Sequence, residues 1–391
     1  MLRFSLMILL LIALSINGLA QVQIKLFSAR PVSSAFFRVS SGQYQLEGGG
    51  KKLTLQKGDC LSISCVNGSL KVDASNYGSL SCSSFKIYGD GGENKFSISS
   101  GGKSTPMRNY SGKISCFASG TNIILLNSCS VEDYIAGVVQ AEGGSRQNQE
   151  YYKTQAVLAR TYLVRYLKDN QPFGSVVSDD KHCQVFFGIT EDKNIMRAVL
   201  ETKGEVIMGG DSLVIESAFH SNCGGETSSS EDVWLIQQPY LKKVNDPYCT
   251  HAQNSRWERQ VSVKQWVEYL VKSGYGGPVN DPAIFGFLQE KRLVDYSAAH
   301  FSIPFTRIRS EMHLPSAFFS VIINGDSVIL KGKGFGHGVG LCQEGAMEMA
   351  MEGFNYRQII AFYFSGVTIH DISETLLPRG LLSMLNSVQL N

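Results

Sequence analysis

The sequence predicts an α+β protein, with a small N-terminal β domain followed by a mixed helix and sheet domain that carries an inserted module. Three observations predict it. From Gln21 to about Asn127, short apolar or alternating runs are separated by glycine and serine clusters. At Ser130 the pattern changes to helical spacing. Further on, a strand pair near Phe318 to Lys331 leads into a glycine-rich run, Gly332 to Gly340, and two closing helices.

The elements follow in chain order. Met1 to Phe4 carries Arg3 and no acid, Ser5 to Ile16 is almost wholly apolar, and Gly18-Leu19-Ala20 supplies small residues before a cut. This is the layout of a signal peptide over residues 1–20, cleaved near Ala20, so the chain is expected to be exported to the periplasm, cell wall or medium. A one-pass anchor is the alternative, but the apolar run is shorter than the roughly 20 residues a span needs. Residues 21–127 form the small β domain, with strands at Ala35 to Val39, Lys52 to Leu55 and Asn122 to Leu126. Residues 128–391 form the second domain, with an insertion at about 257–310. Ser130 with Asp133 three residues on reads as a helix N-cap, so helices are expected from Val131 to about Glu142 and from about Glu150 to Leu167. Later helices are expected at Leu341 to Met351 and Tyr356 to Phe364.

Composition narrows the function classes. With 43% hydrophobic and 18% charged residues the chain can bury a real core, and 391 residues suit two or three domains. A formal net charge of +2 gives no electrostatic footprint for nucleic acid and suits a neutral or mixed-charge substrate such as a glycan. Nine cysteines in an exported chain point to disulfides, with at least one thiol left over.

Four constellations could carry chemistry. On the first helix Ile135, Val138 and Val139 form an apolar stripe, and Glu142 continues it at i+7, just before Gly143-Gly144. A carboxyl on an apolar face loses hydration and is held protonated to higher pH, which is what donation to a glycosidic oxygen requires. The bland alternative is a helix-end glutamate in solvent. On the second helix Arg160 lies on the stripe of Ala156, Ala159, Leu163 and Leu167. A buried arginine needs a partner, and Glu142 is a candidate; the alternative is an arginine that sends its head to water.

The third constellation is Phe219-His220-Ser221-Asn222-Cys223-Gly224-Gly225. With His182-Cys183 and Cys249, His220 and Cys223 could build a structural zinc site of mixed nitrogen and sulfur ligands, and a disulfide among Cys183, Cys223 and Cys249 is the alternative. The fourth is Gly334-Phe335-Gly336-His337-Gly338-Val339-Gly340 with Gln343. Its glycine spacing is not that of a nucleotide loop, so no nucleotide is expected; a backbone passing tightly by a cleft and presenting His337 fits better.

Taken jointly and in this order, these stretches resemble the SpoIID/LytB family of bacterial peptidoglycan proteins. The resemblance rests on Tyr134 to Glu142, Gln155 to Tyr162, His182 to Phe186, Phe219 to Gly225, Trp234 with Pro239-Tyr240-Leu241, and Gly334 to Gly340 with Gln343 and Gly345-Ala346. It implies a lytic transglycosylase that cuts between N-acetylmuramic acid and N-acetylglucosamine and closes a 1,6-anhydro ring. It implies Glu142 as the single acid/base, Arg160 as its functional neighbour, and His220, Ser221, Gln184, His337, Gln343 and Tyr240 along the glycan. No second carboxylate is demanded, unlike a two-carboxylate glycosidase. A non-catalytic activator of a cell-wall amidase and a lysozyme-type hydrolase are the other readings. Some relatives bind zinc through the pair matching His182-Cys183, with further ligands upstream; here Gln171 to Lys181 holds no His or Cys. No other cofactor is implied. The family often has serine where Cys342 stands.

Overall fold

The strand Asn122–Ser130 alternates half-buried and buried along its whole length, the period-2 pattern of a strand with one face on a core. The structure, a computed structural model, describes residues 21–89, 93–101, 103–170 and 176–371. The expected leader over residues 1–20 lies outside the described residues. Helices and sheets are combined as an α+β fold. The chain divides into two compact units: Met1–Ser145 with Leu163–Gly204 and Asp371–Asn391, and Arg146–Tyr162 with Glu205–His370.

The first unit contains two sheets. One has seven strands in the order Val176–Ser178, Gln21–Lys25, Asn122–Ser130, Lys113–Ser119, Ser84–Gly89, Tyr44–Gly48, Lys51–Leu55. Its pairs are antiparallel except that Gln21–Lys25 runs parallel to Val176–Ser178. The other has six strands in the order Arg108–Ser111, Lys95–Ser100, Ser34–Ser41, Cys60–Val66, Ser69–Ala74, Gly78–Cys82. The three strands expected from sequence, around Ala35, Leu53 and Ile124, are all present.

The helix Val131–Gly143 follows the strand Asn122–Ser130 without a loop, and it belongs to this β unit. Ser130 caps it: its Oγ accepts the amide of Asp133 at 3.0 Å, satisfying one of the orphan donors of the first turn. Asp133 in turn accepts from the Ser111 hydroxyl at 2.7 Å, tying the helix start to a neighbouring strand. Helix Lys193–Glu201 packs against Val131–Gly143.

An aromatic ladder connects sheet and helix. Phe37, Phe96, Tyr110, Phe186 and Tyr134 follow one another with ring centroids 5.1, 5.7, 5.9 and 5.2 Å apart. All five rings are buried, and each is worth about 2–3 kcal/mol of hydrophobic burial. The ladder ends on the helix that carries Glu142.

The second unit holds residues 149–162 of the helix Gln149–Asp169, in which Tyr151, Tyr152, Ala156 to Ala159 and Arg160 are buried. Beside it runs the strand Glu205–Met208: the amide of Ile207 donates to the Thr161 hydroxyl at 3.0 Å. A two-stranded parallel pair joins Phe219–His220 to Leu341–Cys342, with His220 opposite Cys342. Gln343–Met351 and Tyr356–Tyr363 are the two closing helices.

The inserted module has its own core. Arg256–Ser262, Ser327–Lys333 and Phe319–Asn324 form a three-stranded antiparallel sheet covered by helix Val263–Lys272. Trp266, Tyr296, Phe305, Phe319 and Leu330 are among its buried residues. The hairpin at 319–333 pairs back onto Arg256–Ser262 and contributes to the same core.

Candidate functional site

The helix ends at Gly143, and Gly144 leaves it with φ +72°. This places Glu142 in the last turn. Its carboxylate is half-buried, and Oε1 accepts the backbone amide of Val185 at 3.1 Å. Burial pushes the Glu142 carboxyl above its ordinary value, against the Val185 hydrogen bond, which favours the charged form. The solvent-exposed alternative does not hold for this residue.

Gly137 explains how Val185 reaches Glu142. A Cβ at Gly137 would lie 2.4 Å from the Phe186 ring and 2.3 Å from the Gly188 carbonyl. The bare helix face therefore lets the segment 184–188 press against it. A mid-helix glycine costs about 1 kcal/mol relative to alanine, and burial of the Phe186 ring more than offsets this. Gln184 is buried in the same segment, its Oε1 accepting from the Tyr134 hydroxyl at 3.4 Å.

Beside Val185 opens a pocket of about 340 Å³, lined among others by Phe27, Arg30, Arg108, Lys181 and Phe187. The Arg108 guanidinium sits 4.8 Å from the centroids of both Phe27 and Phe187 and pairs with Asp179 at 3.1 Å. Phe187 is 55% exposed, with the Arg108 guanidinium over its ring.

In the same unit His182 is exposed and Cys183 half-buried, with the Cys183 sulfur accepting the Ser178 amide at 3.4 Å. The expected zinc pair thus lies on the surface of the β unit. Among the described residues, the metal-competent grouping is elsewhere, at Cys223, Asp246, Cys249 and Cys342.

In the second unit, Arg160 is 1% exposed, so its head does not reach water. Its Nη1 donates to the Glu205 carbonyl at 3.2 Å. The unit also brings His220 and His337 together, with ring centroids 5.4 Å apart. Their partners fix their tautomers. His220 Nδ1 donates to the Val339 carbonyl at 3.1 Å, which leaves Nε2 as the lone-pair nitrogen. His337 Nε2 donates to the Phe219 carbonyl at 2.9 Å, and its Nδ1 accepts the Val339 amide at 3.1 Å. Burial, reinforced by Arg292, holds both imidazoles neutral, with His337 pushed down to about 4. The exposed Trp234 ring lies 5.5 Å from His337 and extends this surface.

The glycine-rich run makes that packing possible. Gly336, at φ +113°, would place a Cβ 2.7 Å from the His220 Cβ, and Gly340, at φ +72°, would place one 2.3 Å from the Ala218 carbonyl. Both positions need glycine. Of the remaining expected residues, Ser221 accepts the Glu344 amide on its carbonyl at 3.0 Å, and Gln343 opens helix Gln343–Met351, nearly buried. Tyr240 is buried, and its hydroxyl accepts the Glu216 amide at 2.9 Å.

No disulfide joins any of the nine cysteines in this structure. Cys223 and Cys249 approach closely, with sulfurs 3.3 Å apart, but Cys183 belongs to the other unit. His220 is bonded to Val339 and stands outside the thiol group. Sequence reasoning missed the Val185 amide, the aromatic pocket at Arg108, Asp246 and the buried Arg292. Arg292 donates to the carbonyl of Cys223 at 2.7 Å and, through its backbone amide, is bonded to the Glu226 carboxylate at 2.6 Å. None of these has a local signal, because each depends on partners distant in sequence.

Residues 119–208 match the family model SpoIID, described as stage II sporulation protein. An uncharacterized protein of Brachyspira hyodysenteriae is 31% identical over 277 residues, covering 68% of this chain and 73% of that protein. The stage II sporulation protein D of Bacillus subtilis is 30% identical over 258 residues, covering 62% of this chain and 74% of that protein. The amidase enhancer of Bacillus subtilis is 27% identical over 288 residues, which is 60% of this chain and 40% of that protein.

Proposed function

This chain belongs to the SpoIID family, and on that premise we propose that it is an exported cell-wall protein that cleaves peptidoglycan glycan strands as a lytic transglycosylase. The relative named amidase enhancer supports the cell-wall role. The observation that carries the catalytic reading is the Glu142 carboxyl. It sits in the last helical turn, its pKa is raised by burial, and a backbone amide holds one oxygen in place. A carboxyl whose pKa is raised by burial stays protonated to higher pH than an exposed one, which is the direction a general acid needs.

The reaction then needs one carboxyl. Glu142 protonates the bridging oxygen between N-acetylmuramic acid and N-acetylglucosamine as that bond breaks. The resulting carboxylate takes the proton from the muramic C6 hydroxyl as that oxygen bonds to C1. The products are an anhydro-muramic end and a new N-acetylglucosamine end, and Glu142 is protonated again. No water is consumed. In the first unit, Gln184 is proposed to orient the glycan with Glu142; in the second, Arg160, the neutral His220–His337 pair, Ser221, Gln343 and Tyr240 are each proposed as glycan contacts. The pocket beside Val185, where Arg108 stacks on Phe27 and Phe187, is proposed to take a sugar against the exposed part of Phe187 and the polar side chains that line it.

Mass spectrometry of purified glycan strands incubated with the mature protein tests this. Anhydro-muramic ends from wild type and none from Glu142→Gln are expected. The similarity to the amidase enhancer favours a second reading, a glycan-binding activator of a cell-wall amidase. That reading predicts that Glu142→Gln keeps both binding and activation.

A further inference from the structure

We propose that Cys223, Asp246, Cys249 and Cys342 form a structural zinc site of the second unit. Their three sulfurs and a carboxylate oxygen all lie within 4.8 Å of one another. All four residues are fully buried, each 0% exposed. The Cys223 sulfur is 3.3 Å from that of Cys249 and 3.2 Å from Asp246 Oδ2.

These separations suit a tetrahedron. A zinc ion bonded to sulfur at about 2.3 Å and to a carboxylate oxygen at about 2.1 Å sets ligand edges of about 3.6–3.8 Å. The two shortest edges, 3.3 and 3.2 Å, would lengthen by roughly half an ångström, and any edge near the 4.8 Å limit of the cluster would shorten on closing round the ion. Three thiolates with one carboxylate make a soft, closed set with no open position, which points to zinc in a structural rather than a catalytic role.

A disulfide explains the cluster less well. It would use two of the three sulfurs and leave a buried thiol facing a buried carboxylate. A carboxylate fully removed from water requires compensation, and a divalent ion supplies it while engaging every donor.

The surroundings are arranged as the outer shell of such a site. The Tyr363 hydroxyl donates to Asp246 Oδ2 and the Tyr248 amide to Asp246 Oδ1, both at 3.0 Å. The Cys342 sulfur accepts the amides of Cys223 at 3.2 Å and Gly345 at 3.4 Å. A Cβ at Gly345 would lie 2.4 Å from Asp246 Oδ2, so glycine there lets the carboxylate come in. The buried Arg292 guanidinium on the Cys223 carbonyl offsets part of the negative charge.

The ion would tie three distant chain segments at the base of the His220–Gln343 region. Cys342 lies directly opposite His220 in the parallel strand pair and caps helix Gln343–Met351. The site is separate from His182–Cys183 and uses no histidine.

The test uses the full exported chain, purified without a histidine tag, with metal content measured by inductively coupled plasma mass spectrometry. About one zinc per chain is expected. It should be lost in Cys342→Ser and kept in Cys183→Ser and His182→Ala. If Cys342→Ser does not fold, Asp246→Asn keeps all three thiols and should release zinc to a competing chelator at least tenfold more readily than wild type. Cobalt exchanged into the wild type should give sulfur-to-metal charge-transfer absorption and tetrahedral ligand-field bands. The proposal is overturned by a metal-free wild type whose mass and peptide map locate a Cys223–Cys249 disulfide. Three free thiols without metal, or zinc that departs with Cys183 or His182 instead, would overturn it equally.

Discussion

The backbone amide of Val185 donates to Oε1 of Glu142 at 3.1 Å, across 43 positions of sequence. The two influences on this carboxyl oppose each other: burial raises its pKa and the amide lowers it. The general acid works only while protonated, so the Glu142 pKa sets the basic limb of the rate profile. Val185→Pro removes the donor and should move that limb to higher pH, with kcat/KM at alkaline pH falling least. A pH–rate profile that does not move on this substitution would remove the amide from the account.

Gly137 lets residues 184–188 pack on the helix. Gly137→Ala gains about 1 kcal/mol of helix propensity but meets Phe186 and the Gly188 carbonyl under 2.5 Å. Overpacking should win, with a net loss of about 1–3 kcal/mol in denaturant unfolding. Activity should fall further than stability alone explains, because Val185 shifts with Phe186. Greater stability in the alanine variant would mean that the segment yields freely.

His337 and His220 are held neutral with depressed pKa values. An unfolded histidine takes up a proton near pH 6.5, whereas folded His337 does so only near 4. Between these values the unfolded chain binds more protons, so stability rises with pH and is lost as pH falls from about 6.5 towards 4. His337→Phe should flatten this part of the curve, measured as urea midpoints from pH 7 to 4. An unchanged slope would show that other groups carry it.

Arg160 is buried with its Nη1 on the Glu205 carbonyl. Arg160→Met keeps most of the volume and removes the donor. A loss of about 1–3 kcal/mol is expected, that of an abandoned buried acceptor, together with loss of glycan cleavage. A variant as stable and as active as wild type would reduce Arg160 to a packing residue.

Much of this was readable from sequence wherever the determinants are local. Ser130 and Asp133 mark the helix start they occupy, and the spacing of Ile135, Val138, Val139 and Glu142 puts the carboxyl on the apolar face. The alternation in Asn122–Ser130 is visible residue by residue. What was not readable depends on contacts between distant segments. Val185 has no side-chain signal because only its amide acts. Asp246 is an ordinary loop acid until Cys223 and Cys342, more than a hundred positions apart, fold around it. The return of the 319–333 hairpin onto residues 256–262 likewise has no local signal, because it joins strands some seventy positions apart.

The most direct measurement digests purified glycan strands in ¹⁸O-labelled water and examines the new muramic ends by mass spectrometry, wild type beside Glu142→Gln. The single-carboxyl account predicts anhydro ends without label from wild type and none from the variant. Labelled reducing ends, or the same anhydro products from Glu142→Gln, would contradict it.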